Sequence, residues 1–525
     1  MNPRLLLLAL IAWPVTAEEF RSVPAEPMTI GTTPQFFIDD YVVDNRWAIN
    51  FDRGSTEMPL REFHAPKKHP KNPLISPPRV EPANGVQPGM AWVNVVRDEK
   101  AGMFKMWYAA SEPVRGDVAR GRNPYHTAIA YAESKDGLKW VLPKIGKFER
   151  NGSKENNIVW MGMSDRNAGE AQIVTQIPEE ARRGYRYLLV YLAGGGIQLV
   201  GSKDGITWDK ASNQKIHAMA SDFPNNILWD PVRKEFVMYC RAKTRYLVGG
   251  NRDGEGHLRQ VEDVGESRRV ARLGNRDLWT EWKTDPQQIL QTDELDAVDG
   301  FTAIYAFTAQ RYGDIVWGLM HPFRWNNWMH AELAFSRDGF RFDRLPTRPK
   351  LIPRGPAGSW DSGMILAAYN WVEVGDEWWL YYNGWDGPHG RSEMEALGRW
   401  RTGAVGLSTI RKEGFISIRG PKNGGVVCTR LINWPGGGLF VNCDAKAGEL
   451  KVRLSDEKRK VLPGFDYKDC EVFNRDATSH EVKWKNASIA SLAGRAVRVE
   501  FFIKEADLYT FRAGGSTAGA ARASE

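Results

Sequence analysis

An Asp-Gly turn that recurs along the chain constrains the fold more than any other feature. Residues 134–140 read SKDGLKW, and this motif returns as SKDGITW at 202–208 and as SRDGFRF at 336–342. Weaker copies surround Asp277 and Glu413, so that the acidic positions 136, 204, 277, 338 and 413 are 68, 73, 61 and 75 residues apart. Five copies at a nearly constant spacing predict five similar supersecondary units.

Each unit places the same kinds of segment in the same order before its turn. An apolar, aromatic run comes first, as in residues 104–108 (FKMWY) and 378–382 (WWLYY). An alternating run follows, as in residues 127–132 (TAIAYA) and 403–407 (GAVGL). β-Branched and aromatic residues bounded by Asp, Gly and Pro predict strands, and Asp-Gly favours a tight hairpin. The sequence therefore predicts an all-β fold, a five-bladed β-propeller with about four strands per blade.

The repeat also delimits the domains that we expect. Residues 75–421 are predicted to form the propeller, and residues 18–74 to pack on it or to lend it a strand. After Pro421 the repeat stops, and the short alternating strands of residues 424–513 predict an antiparallel β-sandwich. Residues 514–525 lack apolar bulk, so we expect a disordered tail there.

The first residues have the pattern of a secretory signal peptide. Arg4 precedes an apolar run over residues 5–13, and small residues ahead of Glu18 predict cleavage after Ala17. That run is too short to span a bilayer, and no later run of 18 apolar residues occurs. We therefore expect a secreted or periplasmic protein without a membrane span. Pairing among the four cysteines stays open: Cys240, Cys428, Cys443 and Cys470.

Composition and motifs remove several classes of function. The formal net charge is +7 without any block of five Lys or Arg, so no nucleic-acid partner is expected. The sequence has neither a His-Glu-x-x-His motif nor a Gly-x-Ser-x-Gly elbow, which disfavours a zinc or a serine hydrolase. No cofactor is expected, and a structural calcium ion is left open. The 21 Trp residues favour flat apolar ligands such as sugar faces.

Acidic residues just before the first strand of each unit form the predicted active site. In a propeller these strands line the central channel, so the residues that precede them converge on one face. The positions are Glu81, Asp165, Glu170, Asp222, Asp296, Asp299 and Asp361. Carboxylates that share a funnel raise one another's pKa, which lets one act as general acid and another as base or nucleophile. The alternative is that each acid caps a turn or pairs with an arginine.

Several of these segments resemble the five-bladed propeller glycoside hydrolases of the family 32/43 type, in particular secreted bacterial family-32-like hydrolases. The similar segments are residues 104–108, 130–140, GSWDSG at 358–363, and YYNG at 381–384 with the loop to His389. The resemblance implies a glycosidase of carbohydrate metabolism. It also implies catalytic roles for Asp361 in the last blade, Asp222 in the third and Glu81 in the first, with Asp40 as the rival of Glu81.

Substrate contacts are expected from His389, Arg268, Trp360, Trp92 and Asp299. His389 follows Gly-Pro on a loop and suits a sugar hydroxyl, unless it is a surface histidine. Arg268 suits a substrate carboxylate or sulfate, unless it forms a structural ion pair. The leading hypothesis is a secreted glycoside hydrolase that cleaves a poly- or oligosaccharide. The alternatives are a non-catalytic carbohydrate-binding propeller and a lyase or phosphorylase on the same scaffold.

Overall fold

The regular secondary structure of the described residues is almost entirely β-strand, so the predicted all-β class is confirmed. The α-helix described, α1, spans Glu294–Val298, and 3-10 turns lie at Glu179–Arg182, Lys210–Ser212 and Ile489–Leu492. None of the described helices is long and apolar enough to cross a membrane. The computed structural model describes residues 24–48, 57–76, 89–113, 125–149, 153–164, 168–193, 196–219, 221, 223–242, 268–284, 286–301, 303–323, 328–389 and 401–514. The predicted signal peptide lies outside these ranges, as do nearly all residues of the predicted tail.

Five short strands precede the repeated region. They are β1 (Met28–Thr29), β2 (Gln35–Phe36), β3 (Val43–Ala48), β4 (Leu60–Phe63) and β5 (Lys67–Lys68). The first four pair with strands from the C-terminal part of the chain, whereas β5 pairs with a strand of the repeat. The N-terminal segment therefore contributes strands to both parts of the molecule.

The repeated region forms five antiparallel sheets, one after another along the chain. Sheet 1 contains β6 (Gly89–Asp98), β7 (Met103–Pro113), β8 (Tyr125–Ser134) and β9 (Ile158–Trp160). Sheet 2 contains β10 (Gly169–Ile173), β11 (Tyr187–Ala193), β12 (Gly196–Ser202) and β13 (Gln214–His217). Sheet 3 contains β14 (Asn226–Asp230), β15 (Glu235–Ala242), β16 (Arg269–Asn275) and β17 (Gln287–Leu290).

Sheets 4 and 5 have a fifth strand each. Sheet 4 contains β18 (Ala303–Tyr312), β19 (Ile315–Phe323), β20 (Ala331–Ser336), β21 (Asp343–Arg344) and β22 (Lys350–Ile352), with both β21 and β22 paired to β20. Sheet 5 contains β23 (Met364–Ala367), β24 (Val372–Val374), β25 (Glu377–Trp385) and β26 (Gly403–Arg411). Its outer position, beside β26, is filled by β5 from the N-terminal segment.

The acidic turn positions all follow the strand that is third in the pairing order of their sheets, as the repeat predicts. At the second copy, the Asp204 carboxylate accepts hydrogen bonds from the amides of Ile206 and Thr207, at 2.8 and 2.6 Å. Gly205 has a φ of 82°, and a Cβ built there would lie 2.5 Å from the Trp107 ring. Left-handed backbone and the close ring together require glycine at this position.

Three of these turns dock on the sheet before them through an aromatic hydrogen bond. Trp107 of sheet 1 donates to the carbonyl of Gly205 in sheet 2, at 2.7 Å. Tyr239 of sheet 3 donates to Gly339 of sheet 4, and Tyr381 of sheet 5 donates to Gly137 of sheet 1. The last contact joins the end of the repeated region to its beginning.

The other two turns reach the preceding sheet with different groups. Trp279, in the turn of sheet 3, donates to the carbonyl of Ala181, in the 3-10 turn between β10 and β11 of sheet 2, at 2.7 Å. Glu413, in the turn of sheet 5, accepts the hydroxyl of Tyr312 from sheet 4 at 2.9 Å. Each repeat turn thus fastens two neighbouring sheets, which explains why the motif recurs.

The inner strands, meaning the first strand of each sheet, are joined into a closed ring by hydrogen bonds. In order round the ring, the pairs are Asn94 with Ala171 and Ile173, Gln172 with Ile227, Asn226 with Ala309, Thr308 with Ala368, and the Tyr369 amide with the Val93 carbonyl. Side chains that bond the backbone of the next strand satisfy groups that an inner sheet edge would leave unpaired.

Two further sheets combine N-terminal and C-terminal strands. The additional strands are β27 (Ile416–Arg419), β28 (Gly425–Thr429), β29 (Ile432–Asn433), β30 (Gly438–Asp444), β31 (Glu449–Ser455), β32 (Asp476–Val482), β33 (Ala496–Lys504) and β34 (Asp507–Gly514). Sheet 6 has the order β1-β29-β33-β28-β3, with β31 on β33, and sheet 7 the order β32-β30-β34-β27-β4, with β2 on β34. Side chains of both sheets form one buried apolar cluster that includes Val427, Phe501, Val441 and Phe511. All four cysteines are buried free thiols.

Candidate functional site

The inner strands begin at the same end of the sheets as the β19–β20 and β25–β26 connections. The pairing of Ala303 with Phe323, and of Met364 with Trp385, brings these chain segments together. Two groups of side chains lie at this end. We call them the Tyr305 cluster (Trp92, Arg268, Tyr305, Phe323 and His389) and the Trp328 pocket, whose lining is given below.

The Tyr305 cluster assembles three of the substrate-binding residues expected from the sequence. The rings of Trp92 and Tyr305 are stacked, with centroids 6.3 Å apart and planes 8° from parallel. His389 Nε2 lies 3.1 Å from the Tyr305 hydroxyl, and its ring packs edge-on against Phe323. The Arg268 guanidinium lies 5.0 Å from the centre of the Tyr305 ring. An aromatic face, a cation and a histidine therefore lie within one patch.

Backbone strain marks two inner-strand residues at this end. Trp92 and Glu170 have φ values of 53° and 45°, in the region that only glycine adopts easily. Each lies two residues before a member of the inner ring, Asn94 or Gln172, where the pairing of its strand is irregular. Such residues cost on the order of 1–3 kcal/mol and concentrate at functional sites. Burial, together with the Glu170 charge, raises the pKa of Tyr369 well above its ordinary value.

The Trp328 pocket, of about 900 Å³, lies beside the Tyr305 cluster, because Asp386, Gly387 and Pro388 line the pocket and His389 of the cluster follows them directly in the chain. This volume is typical of a small-ligand site. The Phe301 ring packs edge-on against His330, with centroids 5.2 Å apart. The pocket is lined by Asp299, Phe301, Trp328, His330, Lys350, Pro353, Arg354, Gly355, Ala357, Gly358, Ser362, Asp386, Gly387 and Pro388.

Two carboxylates reach the Trp328 pocket from neighbouring sheets. Asp299 caps the end of α1, before β18 of sheet 4, and is exposed. Asp386 follows β25 of sheet 5, and its carboxylate accepts the amide of Thr402 at 2.6 Å. Aromatic rings, two carboxylates and a histidine in one pocket provide the groups that a glycosidase uses.

A buried ion-pair network supports this wall of the pocket. His330 Nε2 lies 2.8 Å from the Glu332 carboxylate, which in turn bonds Arg344 at 2.5 Å. Arg344 also bonds both oxygens of Asp296, which closes the capping box of α1 with Asp293. Burial raises the pKa of Asp296, but hydrogen bonds from Arg344 and the Asp293 amide outweigh it and hold that pKa below its usual value. Asp296 therefore fixes the helix that carries Asp299.

Asp361 lies on the body of sheet 5, where it is buried and ion-paired. Its carboxylate bonds Lys68 of β5 at 2.5 Å, the Tyr382 hydroxyl at 3.1 Å and the Ser359 hydroxyl at 3.0 Å. Trp360 lies almost parallel to the Tyr382 ring, with centroids 5.5 Å apart. These contacts tie the outer strand β5 to sheet 5 and favour a structural role for Asp361.

The other predicted catalytic acids do not join Asp361 within the described residues. Asp40 is exposed, lies between β2 and β3, and forms an ion pair with Arg61 of β4. Glu81 and Asp222 lie outside the described ranges. Of the four predicted catalytic acids, the described residues thus include Asp361 and Asp40, and these two form separate ion pairs, with Lys68 and with Arg61.

Sequence reasoning missed Trp328, His330 and Asp386. It sought acidic residues only before the first strand of each unit, whereas Asp386 lies in the β25–β26 connection. It did not consider Trp328 and His330, which lie in the β19–β20 connection. In antiparallel sheets both kinds of connection reach the same end. The signal that was present is Asp386-Gly387-Pro388, a turn sequence directly before His389.

No protein-family model matches this chain, and neither does any curated protein. Among solved structures, the chain is similar to an N-acetylgalactosamine deacetylase from F. plautii, at 15% identity over 66% of this chain and 95% of that one, with a TM-score of 0.42. A β-1,2-mannobiose phosphorylase from Listeria innocua matches at 14% identity over 66% and 96%, with a TM-score of 0.41. A family 43 arabinoxylan arabinofuranohydrolase from Bacillus subtilis matches at 11% identity over 85% and 98%, with a TM-score of 0.36. Similarities this weak carry no argument about the activity of this chain.

Proposed function

We propose that this protein is a secreted or periplasmic glycoside hydrolase on a five-bladed β-propeller with a C-terminal β-sandwich. Sheets 1–5 are the blades, since inner-strand hydrogen bonds and the repeat turns connect them in a closed circle. Sheets 6 and 7 are the two layers of the sandwich, since they share one apolar core. Export rests on the signal-peptide pattern of residues 1–17.

The observation that carries the activity is the pair of carboxylates in the Trp328 pocket. Glycoside hydrolysis needs one carboxyl group to protonate the leaving oxygen and a second to act as base or nucleophile. Asp299 and Asp386 are the pair that we assign to these roles. Trp328 and Phe301 offer faces on which a sugar ring stacks, and the adjoining Tyr305 cluster extends the aromatic surface. Glu170, held in strained backbone, is a third carboxylate at this end.

The set implied by family resemblance, Glu81, Asp222 and Asp361, is the competing assignment. The two assignments predict different effects of the Asp361→Asn substitution. In our assignment this change leaves Lys68 without its carboxylate partner, so stability falls by roughly 1–3 kcal/mol while the hydrolytic rate is kept. In the competing assignment the rate falls on the order of a hundredfold or more.

The test is a screen of purified protein against a glycan panel, read as released reducing ends. Asp386→Asn and Asp299→Asn should each lower the rate about a hundredfold or more, with an unchanged melting temperature. The matched control is Asp343→Asn, because Asp343 is an exposed aspartate on β21 whose partner is Arg341. Full activity in both pocket variants would refute the assignment. Glycans that bind without being cleaved would leave only the carbohydrate-binding alternative.

A further inference from the structure

Cations along one segment of sheet 4 differ in whether they have acidic partners. Arg344 is paired with Asp296 and Glu332, and Arg348 is paired with Asp293. Lys350 and Arg354 come next along the same segment, and neither forms a salt bridge to a carboxylate of the described residues. These two cations are the ones that line the Trp328 pocket.

The Arg354 side chain is held in place without having its charge neutralised. Its Nη1 donates to the carbonyl of Ser362 at 2.8 Å, and its guanidinium lies 4.5 Å from the centre of the Trp328 ring. A guanidinium that packs on an aromatic ring can still donate its other N–H groups to a ligand. Their fork geometry matches the oxygens of a carboxylate or a sulfate. Lys350 adds an exposed point charge to the same lining.

We infer that the Trp328 pocket takes a sugar with a negatively charged substituent, a uronate carboxylate or a sulfate ester, that binds Arg354 and Lys350. This inference rests on the proposed function, which places the substrate in the same pocket. Asp299 and Asp386 would repel an anionic sugar, and the two cations offset that repulsion at the side where the substituent lies. A neutral glycan gives neither cation an anionic partner.

The experiment measures binding separately from cleavage. Wild-type protein is applied to an array that carries acidic and neutral glycans, at low salt and at physiological salt. The same array is used for Arg354→Gln and Lys350→Gln. The matched controls are Arg341→Gln and Lys485→Gln, because both side chains are exposed and lie outside the pocket lining. Melting temperatures confirm that each variant is folded. If Arg354→Gln does not fold, Arg354→Lys replaces it, because this variant keeps the positive charge.

The expected result is that acidic glycans bind, that salt weakens their binding, and that each pocket variant weakens it roughly tenfold or more, as for a lost charge-assisted hydrogen bond. Arg354→Lys should keep the salt dependence but lose affinity. Bound glycans are then treated by carboxyl reduction or by desulfation, and the treatment that abolishes binding identifies the substituent.

Three results would overturn the inference: neutral glycans that bind as well as acidic ones, acidic glycans whose binding the pocket variants leave unchanged, and no binding to the array at all. Cleavage of a neutral glycan that depends on Asp386 would overturn it while the proposed function stands. Acidic glycans that bind through Arg354 and are never cleaved would leave the inference standing and refute hydrolysis.

Discussion

Single polar residues hold neighbouring sheets together where water does not reach. His321 of β19 is fully buried, and its Nε2 accepts the amide of Ala367, the last residue of β23, at 2.8 Å. Nδ1 therefore carries the proton, and it faces the Ala306 carbonyl at 3.2 Å. Burial lowers the pKa of His321 to about 3, and the nearby His330 adds to this shift, which outweighs the hydrogen bond to Ala306. This neutral histidine bonds sheet 4 to sheet 5.

The pKa of His321 gives the unfolding free energy a defined pH dependence. The unfolded chain takes up a proton at about pH 6.5, whereas the folded protein resists it down to about pH 3. The stability that His321 contributes is thus present above pH 6.5 and is lost progressively as the pH falls. In urea titrations between pH 4 and 6, His321→Gln should show a slope shallower than wild type by up to about 1.4 kcal/mol per pH unit. Equal slopes would show that the folded protein protonates His321 as readily as the unfolded chain does.

At the same scale, the sequence predicted part of the candidate site. Trp92, Arg268 and His389 were expected to bind substrate, and the structure places them in one cluster around Tyr305. Tyr305 itself was missed, because a tyrosine within an alternating strand looks like any core residue. Asp361 could not be judged from its neighbours in sequence, because its partner Lys68 lies 293 residues away along the chain.

At the scale of elements, the repeat identified the strands and turns but not what joins them. The Asp-Gly positions are visible because glycine, serine and aspartate are each needed locally for the turn. The inner ring uses Asn94, Gln172, Asn226 and Thr308 for equivalent tasks, so no single residue type recurs there. A sequence repeat therefore shows residues that a turn needs locally. It does not show hydrogen bonds between strands when different residue types can form them.

Substitution of a turn glycine by alanine should lower the stability of the protein by an amount that depends on the atoms beside that glycine. Gly205→Ala places a methyl group 2.5 Å from the Trp107 ring, in backbone with a φ of 82°. Gly102 has a φ of 61° with nothing within 4 Å, so Gly102→Ala isolates the backbone cost of about 1 kcal/mol. Gly205→Ala should cost about 1–3 kcal/mol more than this control in chemical denaturation. Equal losses would mean that the ring moves aside freely.

At the scale of the whole molecule, the two ends of the chain share sheets. Strands β1 to β4 pair within sheets 6 and 7, and the buried Glu413 carboxylate accepts the hydroxyl of Thr510 in sheet 7 at 2.6 Å. The sequence predicted strands after Pro421 but could not show which N-terminal strands pair with them. Such pairing depends on residues hundreds of positions apart, and short alternating strands do not specify their partners.

Removal of residues 424–514 should therefore also disrupt N-terminal strands that lie outside the deleted segment. Strands β1, β2 and β3 would lose their partners β29, β34 and β28, and unpaired strand edges favour aggregation. We expect this truncated protein in the insoluble fraction, whereas a chain that lacks only residues 515–525 should elute as wild type in gel filtration. A soluble, active truncated monomer would show that the repeated region folds alone.

The position of β5 has a consequence for how the molecule is made. This strand leaves the ribosome early, but its partner β26 is synthesised only after sheets 1 to 4. The contacts that close the circle, Tyr381 with Gly137 and Lys68 with Asp361, also wait for sheet 5. During synthesis one side of sheet 1 therefore has no neighbouring sheet until sheet 5 is made. Contacts between segments this far apart in the chain form slowly. Closure is a late event in folding, and a chain interrupted before β26 cannot complete the circle.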